Sequence, residues 1–267
     1  MNRRFDKMHG LGNDFVIFDG RSQPLEINEA RARAIADRRT GVGCDQLILL
    51  ERSESADVRM RIFNSDGGEV DACGNAARCV AILVGGNPTI ETAGGLISSD
   101  TGSGEAVIDM GAPRFGWDEI PLAYAMDTAA MPVGWEDLPP PAAVNVGNPH
   151  VVFFVEDASA VDAARLGPLI ERDPLFPQRV NVNFASIDGD AIKLIVWERG
   201  AGLTQACGTG ACATAVAAIR RKLVHGPVPV HLPGGTLIID WTPGGAIRMR
   251  GPAAHVYSGE IDVEELA

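Results

Sequence analysis

Short runs of β-branched and aromatic residues recur along this chain, separated by turns rich in Gly, Asn and Pro, and such runs are typical of β-strands. The predicted strands include residues 14–18, 47–50, 58–63, 151–155, 192–197 and 236–241. Two other stretches, 76–84 and 210–223, predict helices, with Asn75 and Thr209 as their expected N-caps. Both helices are apolar nearly all round, so we expect each of them to be buried. Because strands are their only abundant partner, the pattern favours an α+β fold in which a curved mixed β-sheet or barrel wraps each central helix.

The chain also repeats itself, which indicates two halves of similar fold. The pattern G-N-x-x-V-aliphatic-F occurs at residues 12–18 and again at 147–153, which is 135 positions later. The triplet Ala-Cys-Gly around Cys73 recurs around Cys207, at a distance of 134 positions. We therefore predict two pseudo-symmetric domains. Their expected extents are residues 1–114 with 253–267, and residues 115–252.

The bulk properties narrow the class of protein. The chain has 267 residues, enough for two domains of ordinary size, and a formal net charge of −12. This charge argues against nucleic acid or an anionic membrane as a partner. No apolar run approaches the ~18 residues of a membrane helix, and the first residues lack the apolar stretch of a secretory signal. We therefore expect a cytoplasmic protein.

The five cysteines are expected to be reduced thiols, as is usual in the cytoplasm. Their odd number argues against a disulfide framework. The sequence contains no C-x-x-C pair, the spacing typical of a zinc site, so we expect no bound metal. Cys44, Cys79 and Cys212 are expected to be inert, the last two as small residues of the buried helices.

Cys73 and Cys207 differ from the other cysteines because each directly precedes a predicted helix. A helix start offers unpaired N–H groups and a positive dipole end, which should lower the pKa of a thiol and can hold a carboxylate. A single cysteine at a helix start is more often a packing residue, but two at matched places favour chemistry. Pseudo-symmetry would bring both to a cleft between the domains. One thiolate could then remove a proton from carbon while the opposed thiol delivers one to the other face.

Further polar residues near the matched blocks suit a small, multiply charged substrate. The amide candidates are Asn13, Gln46, Asn64, Asn148 and Asn181, and asparagines at strand ends are also common turn formers. Arg199 could bind a carboxylate and Glu198 an ammonium group, or the two could form a solvated pair. His150 could tune a thiol, or it could be a wall residue bonded to backbone.

Eight short motifs, spread over both halves, form a specific set. They are residues 9–15, 41–46, 63–67, 72–79, 145–150, 179–181, 197–200 and 206–212. Together they resemble the diaminopimelate epimerase family, and the resemblance covers essentially the whole chain. It implies conversion of L,L-diaminopimelate to the meso form, for lysine and peptidoglycan synthesis, by an enzyme that uses neither pyridoxal phosphate nor a metal. It also implies two pseudo-symmetric domains, each a barrel-like sheet around a central helix.

The resemblance further implies a role for each candidate residue. Cys207 would be the proton acceptor and Cys73 the proton donor for the L,L substrate, with His150 and Glu198 tuning the thiols, and Tyr257 would lie at a homodimer contact. The residues that would hold the reacting carboxylate through their backbone are Gly74, Asn75, Gly208 and Thr209. Those that would bind the rest of the substrate are Asn13, Gln46, Asn64, Asn148, Asn181, Glu198 and Arg199. Departures are mild, since Thr209 and Ala76 stand where many relatives carry Ser and Gly.

Two other classes of protein remain as alternatives. A proline or hydroxyproline racemase would also pair two cysteines, but it typically has Cys-Gly-His where this chain has Asn75 after Cys73-Gly74. The second alternative is a binding protein on the same duplicated scaffold. A non-catalytic one would not need both Cys73 and Cys207, which this chain retains, and a redox one would carry a C-x-x-C pair, which this chain lacks. A pyridoxal phosphate enzyme is disfavoured because no lysine lies in the matched cysteine, amide or Glu198-Arg199 blocks.

Overall fold

The computed structural model describes residues 2–102 and 104–266. The chain forms two compact units, the first from Met1–Ile108 with Gly251–Ala267 and the second from Asp109–Arg250. Within the described ranges, none of the helices combines the length and the apolar character that crossing a membrane requires.

The first unit consists mainly of strands, with one helix after the second strand and another after the fifth. Its elements are β1 (Asn2–Gly10), β2 (Asn13–Asp19), α1 (Glu29–Ala36), β3 (Gln46–Glu51), β4 (Val58–Asn64), β5 (Glu69–Val70), α2 (Gly74–Val84), β6 (Thr89–Thr92), β7 (Gly95–Gly102), β8 (Glu105–Asp109) and, from the end of the chain, β17 (Ala254–Asp262).

The second unit has a similar series of elements. They are β9 (Ala142–Asn145), β10 (Pro149–Phe154), a 3-10 turn (Ala158–Ala160), α3 (Ala163–Glu171), β11 (Asn181–Asp188), β12 (Ala191–Glu198), β13 (Gly202–Leu203), α4 (Gly208–Arg220), β14 (Val228–Leu232), β15 (Gly235–Asp240) and β16 (Arg248–Pro252).

The strands of the two units pair in the same pattern. In the first unit β2 is antiparallel to β1 and parallel to β3, β4 is antiparallel to β3 and parallel to β6, and β7 is antiparallel to β6. In the second unit β10 is antiparallel to β9 and parallel to β11, β12 is antiparallel to β11 and parallel to β14, and β15 is antiparallel to β14. The predicted fold class, two pseudo-symmetric domains that each place a curved mixed sheet around a buried helix, is therefore confirmed.

The six runs that the sequence predicted as strands are confirmed to within two residues at their ends, as β2, β3, β4, β10, β12 and β15. The sequence analysis did not predict the helices α1 and α3. Each packs on the outside of its sheet, α1 against β3 and β4 and α3 against β11, β12 and β13. The sequence signal of both is weak, because Ile35 is the one large apolar residue of α1 and because α3 contains Gly167 and Pro168, which are unfavourable inside a helix.

The two central helices, α2 and α4, are buried as their composition predicted. Residues from Asn75 to Ala81 are buried in α2, and α4 contacts β9, β10, β11, β12, β14 and β15. Their expected starts were wrong, since α2 and α4 each begin two residues earlier than predicted and Asn75 and Thr209 are not N-caps. Cys73 and Cys207 are the last residues with extended backbone, and glycine directly after each of them already belongs to the helix. The end of α4 also comes earlier, with Arg221 as its C-cap.

The last strand, β17, adds to the first unit by pairing antiparallel with β1. Tyr257 lies opposite Lys7 in this pairing and is 45% exposed. The edge of its ring contacts Phe5, with ring centroids 5.9 Å apart. The phenol thus belongs to an outer surface of the first unit.

Candidate active site

Cys73 and Cys207 are the N-cap residues of the two central helices. Both have an extended backbone, with φ −148° and ψ 111° at Cys73 and φ −124° and ψ 108° at Cys207. The sulfur of Cys207 accepts a hydrogen bond from the backbone N–H of Gly210 at 3.3 Å, as a Ser or Asp oxygen does at most N-caps. Each sulfur therefore lies at the positive end of a helix.

The first N–H groups of a helix have no acceptor within that helix. In α2 they include those of Gly74 and Asn75, and in α4 those of Gly208 and Thr209. Such N–H groups readily bind a carboxylate or phosphate. Each cysteine is thus directly followed by donors suited to an anionic group of a substrate.

The thiol of Cys207 is almost completely buried, at 3% exposure. Burial raises its pKa well above the ordinary value, and the nearby charge of Glu198 raises it further. The Thr209 hydroxyl, 3.5 Å from the sulfur, and the N–H of Gly210 lower the pKa but do not outweigh burial. The sequence predicted a lowered thiol pKa at this helix start, and this prediction is wrong for Cys207 because it considered the helix and omitted desolvation.

Glu198 ends β12 and is itself perturbed by its surroundings. Burial raises the pKa of its carboxyl group, although hydrogen bonds from Thr204 and Cys207 partly offset the shift. The Thr204 hydroxyl donates to Glu198 Oε1 at 2.6 Å. The carboxyl group of Glu198 and the thiol of Cys207 therefore form a coupled pair in which both charged forms are disfavoured by burial.

His150 lies in β10 and is completely buried. Its Nε2 is 2.9 Å from Asn148 Oδ1 and its Nδ1 is 3.1 Å from Asn183 Nδ2. Burial lowers the pKa of the ring to about 3, so the imidazole is neutral at physiological pH. Asn148 in turn donates through Nδ2 to the Thr209 hydroxyl at 3.3 Å. His150 is thus linked to Cys207 through two side chains.

Asn181 and Arg199 are joined by a backbone contact. The Asn181 amide donates to the carbonyl of Pro149 at 2.9 Å and accepts from the Arg199 N–H at 2.9 Å. The Arg199 guanidinium is exposed and donates to the carbonyl of Gln178 at 3.0 Å. In this arrangement Asn181 orients the turn that carries Arg199.

The amide candidates of the first unit also lie together. Asn75 Nδ2 donates to Asn13 Oδ1 at 3.1 Å, and Asn13 Nδ2 donates to Asp45 at 2.9 Å. Gln46 Nε2 donates to Asn64 Oδ1 at 2.9 Å, across the β3–β4 pair. Adjacent strands of one sheet and the start of α2 therefore assemble these four amides.

Strand register identifies equivalent residues in the two units. Phe15 lies opposite Gln46 as His150 lies opposite Asn181. Both members of each corresponding pair are 135 positions apart, and at the same offset Asn148 corresponds to Asn13. The interaction of Asn148 with Thr209 is thus the counterpart of that between Asn13 and Asn75.

Two polar residues near the site were missed by sequence analysis. Asn183 is fully buried in β11 and contacts His150. Glu171, which ends α3, accepts from the Trp197 indole at 2.8 Å and from the Gly200 N–H at 3.2 Å, so it supports the turn around Glu198. A signal for Asn183 was present, since it follows the candidate Asn181 by two positions and side chains at that spacing share a strand face. Glu171 had no such signal, because its partners are far away in sequence.

The sequence of this chain matches a known protein family over most of its length. The family model described as diaminopimelate epimerase matches residues 5–116 and 142–256. A diaminopimelate epimerase of Rhizorhabdus wittichii is 64% identical over 265 residues, covering 98% of this chain and 97% of that protein. One of Sphingopyxis alaskensis is 64% identical over 263 residues, covering 98% of both chains.

A solved structure supports the fold independently. A phenazine biosynthesis protein of the PhzF family from Bacillus anthracis has a TM-score of 0.70 and 17% sequence identity, covering 98% of this chain and 99% of that one. At this identity the likeness concerns the fold alone. The sequence matches, in contrast, extend over nearly the full length at high identity, and they establish that this chain belongs to the diaminopimelate epimerase family.

Proposed function

We propose that this protein interconverts L,L- and meso-diaminopimelate by a two-base mechanism in which Cys207 and Cys73 act on opposite faces of the α-carbon. The observation that carries the proposal is the placement of the two cysteines at equivalent N-caps of the central helices, in a chain of this family. Inversion of a carbon centre requires a base for one face and an acid for the other. Each unit supplies one such group.

The proton balance of the proposed reaction is simple. The thiolate of Cys207 takes the α-proton of the L,L substrate, and the electron pair of the broken C–H bond remains on the carbon and its carboxylate. The thiol of Cys73 then forms the new C–H bond on the other face and becomes the thiolate. The reverse direction exchanges the two roles, and proton exchange with solvent restores the starting form. Backbone N–H groups of Gly74, Asn75, Gly208 and Thr209 would stabilise the charge that develops on the carboxylate.

The surroundings of Cys207 support a mechanism in which its thiolate forms only after the substrate has bound. Burial and the charge of Glu198 raise the pKa of the Cys207 thiol in the unliganded protein. A substrate ammonium group paired with Glu198 would neutralise that charge and remove part of the shift. Substrate binding would thereby favour the base form of the cysteine that it needs.

The remaining polar groups support recognition of a second charged end of the substrate. Arg199 is exposed and held at its backbone by Asn181, so its guanidinium is available to a carboxylate. In the first unit, two hydrogen-bonded amide pairs, Asn13 with Asn75 and Gln46 with Asn64, lie on adjacent strands and at the start of α2. A proline or hydroxyproline racemase would have no distal amino acid group to bind, and the similar proteins of Rhizorhabdus wittichii and Sphingopyxis alaskensis are named diaminopimelate epimerase.

We further propose that the enzyme is a cytoplasmic homodimer that works without pyridoxal phosphate or a metal. The two catalytic halves would be residues 1–114 with 253–267, and residues 115–252. Tyr257 is proposed as a dimer contact because its ring lies on an outer surface of the first unit.

The proposal is tested by incubating the purified, reduced protein with L,L-diaminopimelate in deuterium oxide without any added cofactor. Early meso product should carry deuterium at the inverted α-carbon, because the delivered proton comes from a thiol that has exchanged with solvent. Unreacted L,L substrate should keep its hydrogen. Free proline should not be racemised.

Single substitutions provide the matched controls. Cys73→Ala and Cys207→Ala should each abolish inversion, whereas Cys79→Ala and Cys212→Ala, which change buried cysteines further along the same helices, should retain it. Product that retains the substrate hydrogen, or inversion at a normal rate by Cys73→Ala, would contradict the two-base mechanism.

A further inference from the structure

The donors and acceptors around His150 define a direction of hydrogen bonding toward Cys207. The Nδ2 of Asn183 can only donate, so the ring Nδ1 at 3.1 Å must accept. The neutral ring then carries its proton on Nε2 and donates it to Asn148 Oδ1 at 2.9 Å. This bond orients the Asn148 amide so that Nδ2 donates to the Thr209 hydroxyl at 3.3 Å. The Thr209 proton is left to point at the Cys207 sulfur, 3.5 Å away.

We propose that Asn183 is a positioning residue for Cys207: by fixing His150 as its Nε2–H tautomer, Asn183 sets Asn148 and Thr209 so that a hydroxyl proton faces the sulfur. A donor aimed at sulfur stabilises the thiolate over the thiol. Asn183 is itself fully buried, and it acts through its contact with His150. The inference rests on the proposed function only in giving Cys207 a role as the base.

A purely structural explanation does not account for Asn183. In the first unit, strand register places Phe15 at the position of His150, and the same offset places Ile48 at the position of Asn183. Both of these residues are apolar and fully buried. The same fold therefore packs well with an apolar pair, so the polar pair of the second unit is not needed to form the sheet.

Burying Asn183 also has a cost. Within the described part of the chain its Oδ1 is buried without a hydrogen-bond partner, and a polar group in that state destabilises the folded protein. The absence of a side chain at Gly210 leaves the space that this amide and the sulfur occupy. A Cβ there would lie 3.1 Å from Asn183 Oδ1 and 3.2 Å from Cys207 Sγ. The amide and the thiol are thus packed against the same residue at the start of α4.

Two charged residues, Glu198 and Arg199, also act on Cys207 or His150, and their effects can be separated from that of Asn183. Glu198 acts on Cys207 directly and raises its pKa, and Arg199 disfavours protonation of His150. Neither contact depends on the Asn183 side chain. A substitution of Asn183 should therefore leave these two effects unchanged, while His150 is no longer held in its Nε2–H tautomer.

The test compares wild type with Asn183→Ile, which introduces the residue of the first unit. The tautomer of His150 is read by nitrogen NMR on protein labelled at its five histidines, with His150→Gln for assignment. The pKa of Cys207 is read from thiolate ultraviolet absorbance, as the difference from the same protein carrying Cys207→Ser. Ser186→Ala is the matched control, since it removes a polar atom from the opposite face of the same strand.

Wild type should show the Nε2–H tautomer. Asn183→Ile should lose it, should titrate Cys207 at higher pH, and should reduce kcat about tenfold with little change in KM. Ser186→Ala should match wild type in all of these. If Asn183→Ile fails to fold, the double variant His150→Phe with Asn183→Ile restores the apolar pair of the first unit and should show the same rise in the pKa of Cys207.

The inference is overturned if wild type carries its proton on Nδ1. It is equally overturned if Asn183→Ile or the double variant titrates Cys207 as wild type does. The NMR and absorbance measurements need no turnover, so a protein that fails to epimerise diaminopimelate would refute the proposed function and leave this test intact.

Discussion

The hydroxyl oxygen of Thr209 lies 3.5 Å from the sulfur of Cys207, at the first turn of the buried helix α4. This hydroxyl lowers the pKa of a thiol whose burial raises it. The contact places a donor at the atom where negative charge must form during the proposed reaction.

Thr209→Val should raise the pKa of Cys207 and reduce kcat about tenfold, the usual consequence of losing one hydrogen bond to a charged group. Thr209→Ser keeps the hydroxyl and should remain near wild type. The measurement is the pH dependence of kcat for both variants. Equal kcat in the Val and Ser variants would show that the hydroxyl does not act on the sulfur.

Glu198→Gln should lower the pKa of the Cys207 thiol and yet reduce turnover. Because the charge of Glu198 raises the pKa of Cys207, its removal should shift the thiol titration to lower pH. Turnover should nevertheless fall, since the substrate ammonium loses its partner. Titration by thiolate absorbance and steady-state kinetics measure the two effects, with Glu156→Gln on the exposed surface as the control. A thiol that titrates at the same pH in Glu198→Gln would contradict the proposed coupling.

The buried ring of His150 should make stability depend on pH. Burial lowers its pKa from the ordinary 6.5 to about 3, so between these values the unfolded chain binds more protons than the folded one. The contribution to stability is therefore complete above about pH 6.5 and declines as the pH falls. At pH 5 the loss should be about 2 kcal/mol.

Urea denaturation at pH 7 and pH 5 measures this loss. His150→Gln should remove that part of the pH dependence, whereas His231→Gln, at an exposed position of β14, should retain it. An identical pH dependence in wild type and His150→Gln would show that the ring does not titrate on unfolding.

Lys7 should contribute far more to stability than a surface lysine. Its ammonium pairs with Asp14, with side chains only 11% and 17% exposed, and also donates to the carbonyl of Gly43. Lys7→Met leaves the partly buried Asp14 with Arg38 as its remaining ion-pair partner and removes a donor from the Gly43 carbonyl, so it should destabilise the protein by about 2 kcal/mol. Lys193→Met breaks an exposed pair with Asp188, 59% and 62% exposed, and should cost less than about 1 kcal/mol. Similar denaturation midpoints for the two variants would contradict this difference.

The sequence alone determined the features that depend on short stretches of chain. Runs of β-branched residues predicted the strands, and the apolar composition of residues 76–84 and 210–223 predicted two buried helices. The repeat around Cys73 and Cys207 predicted two related halves, and the motifs predicted the family. All of these signals lie within a few residues of one another or recur at one fixed spacing, so they can be detected without knowledge of packing.

The tertiary structure decided what depends on distant parts of the chain. The pKa of the Cys207 thiol is raised because β12 brings Glu198 beside a sulfur that the sheet desolvates, and neither effect is visible at a helix start considered in isolation. Asn183 becomes a candidate only because the parallel β10–β11 pair places it against His150. Desolvation and hydrogen bonding act through space, and the sequence separation of these residues contains no measure of that distance.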